Sequence, residues 1–114
     1  MLRKLDDPAL EEVARYFAAL AVPVRLKILD ALRGGERNVG ELTQIALTTQ
    51  ANVSKHLAVL AANGLVEKSP RGTSVYYRIA DPRIYELCDI VCGQVRRHIG
   101  GRVALHRAFQ RAAR

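Results

Sequence analysis

The sequence predicts a small, mainly helical fold that carries one β-hairpin. Apolar residues recur at helical spacing through most of the chain, as they do along the buried side of an amphipathic helix. Proline and glycine interrupt this pattern at intervals that suit short helices, as at Pro23 and Gly64. Between residues 65 and 79 the pattern changes to two β-prone runs around a turn. The predicted order is α-α-α-α-β-β-α-α.

The N-terminal part of the chain is predicted to form three helices. Pro8 suits the first turn of a helix, and helical spacing continues from there to about residue 22. Pro23 starts a second helix, which Gly34-Gly35 ends. A short third helix covers about Val39 to Ala46, because its apolar side chains share one face.

A fourth helix and the hairpin follow. Thr49 is a residue type favoured at helix N-caps, and Gly64 suits the position after a helix end. Leu65 to Lys68 and Ser74 to Ile79 are β-prone runs. The turn that joins them contains Pro70 and Gly72, so the two runs are predicted to pair as antiparallel strands.

The C-terminal part is predicted to be helical. Asp81-Pro82 opens a long amphipathic helix to about Ile99, Gly100-Gly101 ends it, and Val103 to Ala113 form a last short helix. No repeat or linker divides the chain, so we expect residues 1–114 to form a single domain. A core of this size is modest, which favours stabilisation by a partner subunit.

The charge balance favours a polyanionic partner. Lys and Arg number 18 against 11 Asp and Glu, which gives a formal net charge of +7 and a pI near 10.0. Nucleic acid is the first expectation and an anionic membrane surface the second. The absence of Trp argues against a platform for stacking single-stranded bases. No glycine-rich phosphate loop, nucleophile elbow or metalloprotease motif is present, so an enzyme is not predicted.

The sequence also predicts where the protein acts. Its apolar runs fall short of the roughly 18 residues of a membrane span, and the N-terminus lacks the apolar region of a signal peptide. We therefore expect a cytoplasmic, nucleoid-associated protein whose thiols are reduced.

Three short helices followed by a hairpin are the layout of a winged helix-turn-helix. In that layout the helix from about Thr49 to Asn63 is the recognition helix, and its polar start enters the major groove. Its apolar residues lie on one side, while small and polar residues lie opposite. The side chains predicted to contact double-stranded DNA are Gln50, Asn52, Ser54 and Lys55 in this helix, with Lys68 and Arg71 at the wing.

Several segments of the chain also resemble a known family. The blocks LAVPVRLKILDAL, NVGEL, NVSKHLAVLAANGLVEK and RGTSVYYRIAD are similar to successive blocks of the ArsR/SmtB family of bacterial winged-helix repressors. The resemblance implies a helix-turn-helix over 39–63 and a wing over 65–79. It also implies a homodimer built from helices at 8–22 and 81–113, which binds a palindromic operator and is released by an inducer.

The family's DNA-contacting positions fall on Gln50, Ser54, Lys55, His56 and Arg71. His56 has two interpretations, since it flanks the apolar side of its helix. Its ring either contacts a DNA phosphate or packs inside the protein with a hydrogen bond.

Inducer sites of the family are only partly matched. A Cys-x-Cys site for soft metals is missing, because Asn38 and Gly40 stand where its thiols would be. A zinc or nickel site on the fifth helix is doubtful, because Arg83 replaces an expected His. A sulfide-sensing pair of cysteines is also broken, because Asp30 occupies the position on the second helix.

Cys88 and Cys92 are the remaining candidates for inducer sensing. Four residues apart on a helix, their Cβ atoms are about 5–6 Å apart, too far for a disulfide but suited to two thiolates on one ion. Arsenite or antimonite, zinc, copper(I), or a persulfide or oxidant are the possible inducers, and no resident cofactor is expected. The alternative is a DNA-binding regulator without a thiol sensor, in which both cysteines pack in an apolar core.

Overall fold

The computed structural model describes residues 1–99 and 103–113, and its mainly helical architecture confirms the predicted fold class. A short 3₁₀ turn, Leu2–Lys4, precedes the main elements. In chain order these are α1 (Asp7–Leu20), α2 (Pro23–Leu32), β1 (Arg37–Asn38), α3 (Val39–Ala46), α4 (Gln50–Ala62), β2 (Val66–Arg71), β3 (Ser74–Ile79), α5 (Ile84–His98) and α6 (Val103–Ala113).

The chain divides into two compact units, Met1–Asp81 and Pro82–Arg114. The first unit contains every element of the winged helix-turn-helix, from α1 to β3. The second contains α5 and α6. The fifth helix begins at Ile84, later than the predicted start at Asp81-Pro82, because Pro82 and its neighbours form a turn before the helix.

The wing sheet has one strand more than the predicted hairpin. Its strand order is β1-β3-β2, and both pairings are antiparallel. The added strand β1 pairs Arg37 with Tyr77 and Asn38 with Tyr76. A strand of two residues is too short to leave an alternating pattern in the sequence, so it was not predicted.

Side-chain caps define the helix starts that position α3 and α4. Asn38 and Glu41 form a reciprocal capping box at α3, with N···O distances of 2.9 and 3.1 Å. Thr49 caps α4 by accepting from the backbone N–H of Asn52 at 3.1 Å. Between these helices Leu47 adopts a left-handed conformation, with φ of 55°, which turns the chain sharply.

The core of the first unit lies where α2, α3 and α4 meet, and the sheet covers part of it. Its fully buried side chains are Ile28, Leu29, Leu42, Val53, Leu57, Leu60 and Leu65. Full burial of one such side chain contributes about 1.5–3 kcal/mol. The apolar residues of α4 therefore fix which of its sides faces the protein and which faces solvent.

The second unit leaves part of its apolar stripe exposed. Ile84 at the start of α5 is buried, whereas Val91 and Val95, about two and about three turns further along the same side, are exposed. Within residues 1–99 and 103–113, no helix combines the length and apolar character that crossing a membrane requires.

Candidate nucleic-acid interface

The solvent side of α4 carries polar and small side chains. Gln50, Ser54 and Lys55 are exposed, and Ala51 and Ala58 between them are exposed too. Alanine side chains are short, so the backbone of this helix can approach another surface closely. Amide, hydroxyl and ammonium groups are the types that pair with base edges and phosphates in the major groove.

Asn52 is half-buried and takes part in the helix-turn-helix turn itself. Its Nδ2 donates to Oγ1 of Thr48 at 3.1 Å, and its backbone N–H donates to Oγ1 of Thr49 at 3.1 Å. One of its two amide N–H groups is therefore used within the turn. Sequence reasoning treated Asn52 as a reader of bases, and the structure adds a structural role that it did not anticipate.

His56 lies inside the protein, with 9% of its surface exposed. Its Nδ1 accepts a hydrogen bond from Nε of Arg25 in α2 at 3.0 Å. Burial lowers the pKa of His56 below its usual 6.5, and the positive charges of Arg25 and then Lys55 lower it further. Of the two interpretations of this residue, the structure shows the packed, hydrogen-bonded ring.

The hairpin places Lys68 and Arg71 on opposite faces. Lys68 pairs in register with Tyr77, whose ring is buried, whereas Arg71 pairs with Ser74. Successive side chains alternate between the two faces of a strand. The two predicted wing contacts are both exposed, but they lie on opposite faces of the hairpin and so cannot contact the same surface.

Arg71 is held by two neighbours. It forms an ion pair with Glu36, which lies just before β1, and its Cζ lies 4.8 Å from the centroid of the Tyr76 ring. Glu36 also pairs with Nη1 of Arg78 at 3.7 Å. Glu36 is a residue that sequence reasoning missed, because no local pattern connects positions 35 residues apart.

The two cysteines lie one turn apart on α5 in different environments. Cys88 is half-buried and Cys92 is exposed. No group of three or more His, Cys, Asp or Glu side chains suited to a metal ion occurs within the described part of one chain. Sulfur is the ligand type that thiophilic ions prefer.

The second helix of the helix-turn-helix carries exposed amide and lysine side chains, and a wing with an exposed arginine follows it. This arrangement defines a winged helix-turn-helix protein. The sequence model for bacterial regulatory proteins of the arsR family matches residues 22–68, from the start of α2 to the wing. The chain belongs to this family, whose members are transcriptional regulators and not enzymes.

Individual relatives support the assignment. The chain is 39% identical over 77 residues to a probable mercury resistance operon repressor of Streptomyces lividans, covering 68% of this chain and 62% of the relative. It is 34% identical over 101 residues to the HTH-type transcriptional regulator Rv0081 of Mycobacterium tuberculosis, covering 88% of this chain and 89% of the relative. The chain thus spans a little under two thirds of the first relative and most of the second.

Solved structures give the same fold. The crystal structure of Rv0081 matches with a TM-score of 0.77 and 33% identity, covering 86% of this chain and 99% of that one. The NMR structure of the homodimeric winged helix-turn-helix DNA-binding domain of Mb0332 from Mycobacterium bovis matches with a TM-score of 0.72 and 36% identity. That alignment covers 83% of this chain and 94% of the other.

Proposed function

We propose that this protein is a homodimeric transcriptional repressor that inserts α4 into the major groove of operator DNA and leaves the operator when an inducer binds. The observation that carries the proposal is the exposed row of Gln50, Ser54 and Lys55 on the small-residue side of α4. A net charge of +7 supports a duplex as the ligand and the cytoplasmic nucleoid as the place of action.

Each exposed side chain has a role that follows from its chemistry. Gln50 and Ser54 are suited to hydrogen bonds with base edges, and Lys55 to guanine or a phosphate. Arg71 suits a phosphate or the minor groove beside the recognition helix. Lys68, on the other face of the hairpin, suits a phosphate contact. His56 acts from inside the protein, by holding α4 to α2 through Arg25.

A second copy of the chain is the partner that this proposal requires. In the first unit, α1 exposes the large apolar side chains Leu10 and Phe17, and in the second, α5 exposes Ile90, Val91 and Val95. The related domain of Mb0332 is described as homodimeric. A two-fold dimer of this kind would read half-sites of a palindrome about 34 Å apart.

Thiol chemistry at Cys88 and Cys92 is the proposed inducer signal. An exposed thiol beside a half-buried one, four residues apart on a helix, suits an arsenite or antimonite species, zinc, copper(I), or a persulfide or oxidant. The Streptomyces lividans relative is named a mercury resistance operon repressor, which favours a thiophilic ion. A metal that requires a third His, Cys, Asp or Glu ligand would take it from outside the described residues of one chain.

The alternative function is a DNA-binding regulator in which the cysteines only pack. The half-burial of Cys88 favours this candidate, because buried cysteine behaves as a small apolar side chain. The two candidates share the DNA-binding surface and differ only in whether a thiol-reactive inducer changes operator affinity.

A gel-shift titration with DNA from upstream of the protein's own gene tests the proposal. We expect a saturable shift that weakens steeply with salt, since phosphate contacts release counterions. Arsenite, antimonite, zinc, copper(I), mercuric ion, a persulfide donor and peroxide are then added in turn, and one of them should release the DNA. A chain that remains monomeric and ignores duplexes at low salt would refute the repressor. A shift that none of these compounds affects would favour the regulator without a thiol sensor.

A further inference from the structure

One face of the wing sheet carries a connected set of charged and aromatic side chains. Because residues alternate between faces, Glu67 and Arg71 of β2 share this face with Tyr76 and Arg78 of β3. Glu36 reaches the same face from just before β1 and pairs with both arginines. Arg71, the proposed wing contact with DNA, therefore belongs to a network that begins outside the hairpin.

The surroundings of Arg71 restrict its guanidinium more strongly than a single exposed ion pair would. The Glu36 side chain is only 22% exposed, against 58% for Arg71 and 52% for Arg78. Its carboxylate sits between two cations, and the ring of Tyr76 lies against the Arg71 guanidinium. Isolated surface ion pairs contribute little, whereas a carboxylate shared by two cations beside an aromatic ring fixes both distance and direction.

Restriction of this arginine matters for binding because a long side chain loses rotamer freedom when it contacts a ligand. A guanidinium already held in place has lost that freedom before DNA arrives, so its contact costs less on association. The held position also decides which part of the duplex the wing can reach. A carboxylate beside a guanidinium also weakens the long-range attraction between the wing and DNA, because its negative charge repels phosphates.

We propose that Glu36 is a positioning residue for operator recognition, which holds the Arg71 guanidinium against Tyr76 where the wing meets DNA. The inference rests on the proposed contact between Arg71 and the operator. Glu36 itself touches no DNA, and its effect passes through Arg71. Its function is to favour the operator over other duplexes, rather than to increase attraction for DNA in general.

The chain offers a matched control for the charge of Glu36. Glu67 lies on the same face of the sheet and pairs with Arg78 at 3.0 Å. Glu67→Gln therefore removes an equal charge from the same face while the contact between Glu36 and Arg71 stays in place. Any repulsion of phosphates that is relieved in Glu36→Gln is relieved to a similar extent in Glu67→Gln.

The test measures Kd of the full chain for the operator fragment and for a scrambled duplex of equal length. Both Glu→Gln variants are compared in the natural background and in an Arg71→Ala background. We expect Glu36→Gln to bind the operator about two- to tenfold more weakly than Glu67→Gln, which is the lower part of the range typical of coupled neighbouring side chains. The difference should vanish in the Arg71→Ala background and on the scrambled duplex.

Two results would overturn the inference while the repressor proposal stands. One is equal operator affinity of the two Glu→Gln variants, and the other is a difference that persists without Arg71. If Arg71→Ala alone leaves operator affinity unchanged, the wing contact itself is wrong and the positioning role is excluded with it. Loss of operator binding in all variants, with the fold intact by circular dichroism, would contradict the positioning role as well.

Discussion

Arg25 of α2 donates a hydrogen bond from Nε to Nδ1 of His56 in α4, over 3.0 Å. The same guanidinium donates from Nη1 to the carbonyl oxygen of Ala19 near the end of α1, over 3.4 Å. One side chain thus connects three helices, one of which is the recognition helix. Nδ1 accepts a hydrogen bond only when it carries no proton, so this contact requires the neutral imidazole.

Removing Arg25 is expected to destabilise the first unit. In Arg25→Ala the buried Nδ1 of His56 loses its donor, and an unsatisfied buried polar atom costs about 1–3 kcal/mol. Urea unfolding at pH 7.5 measures this loss. Lys27→Ala is the control, because Lys27 is an exposed cation of the same helix, and its removal should change stability by less than about 0.5 kcal/mol. Equal effects of the two substitutions would show that the contact is energetically unimportant.

Acid is expected to destabilise the protein through His56. Its pKa in the folded state is lowered by burial and then by Arg25 and Lys55, whereas in the unfolded chain it is near 6.5. Below pH 6.5 the unfolded chain binds the proton more readily. The stabilisation from neutral His56 is therefore complete above pH 6.5 and is lost as the pH falls toward the folded-state pKa.

Urea unfolding between pH 7.5 and pH 5 tests this dependence against His56→Gln. The glutamine side chain keeps an acceptor for Arg25 and does not titrate in this range. We expect the free energy of unfolding to fall less with acid in the variant than in the natural protein. Parallel curves for the two proteins would assign the acid sensitivity to other groups.

The fold was largely predictable because its elements depend on local signals. The third helix was predicted at Val39 to Ala46 and is found there, since its cap and its apolar face lie within a few residues of each other. The outward side of α4 was likewise predicted from spacing alone. Strand β1 was missed because its pairing partner, β3, is contributed by a distant part of the chain.

The candidate site was less predictable, for a related reason. Exposure of Lys55 follows from its place on one helix, but the contacts of His56 and Arg71 depend on residues 31 and 35 positions away. Arg25 and Glu36 carry no signal of these contacts in the sequence, since Arg and Glu are common on exposed surfaces. Periodicity indicates which residues are exposed on a helix, whereas the residues they contact can be identified only from the packed structure.

Lys55→Ala is expected to weaken operator binding and leave the dimer and the fold intact. Lys55 is exposed on α4, so its removal creates no cavity, and a lost contact with guanine or a phosphate costs about 1–3 kcal/mol of binding free energy. Fluorescence anisotropy over a salt series measures the loss, and light scattering measures the mass. Lys27→Ala removes the same charge from α2 and serves as the matched control. Unchanged affinity in Lys55→Ala would remove this side of α4 from the groove.

The double variant Cys88→Ser, Cys92→Ser is expected to bind the operator normally. Its operator affinity should not change when the inducer is added. Since Cys92 is exposed and Cys88 half-buried, a thiol reagent such as dithionitrobenzoate should modify Cys92 faster. The single variants identify the thiol that reacts first. Cys88→Ala controls for packing, because it removes the thiol and leaves a small apolar side chain. An inducer response that survives in the double variant would assign both cysteines to packing.

Leu47→Gly is expected to stabilise the protein. Leu47 ends α3 with φ of 55° and ψ of 46°, a left-handed conformation that costs a residue with a side chain about 1–2 kcal/mol. Leu47 is 86% exposed, so little packing is lost with its side chain. Glycine removes the steric strain but adds freedom to the unfolded chain, which leaves a net gain of about 0.5–1 kcal/mol. Leu47→Ala is the control, because alanine removes the exposed side chain and retains the strain. The midpoint of thermal unfolding should therefore be higher for the glycine variant than for the natural protein and the alanine variant. A lower midpoint for the glycine variant would show that the conformation of Leu47 is not strained.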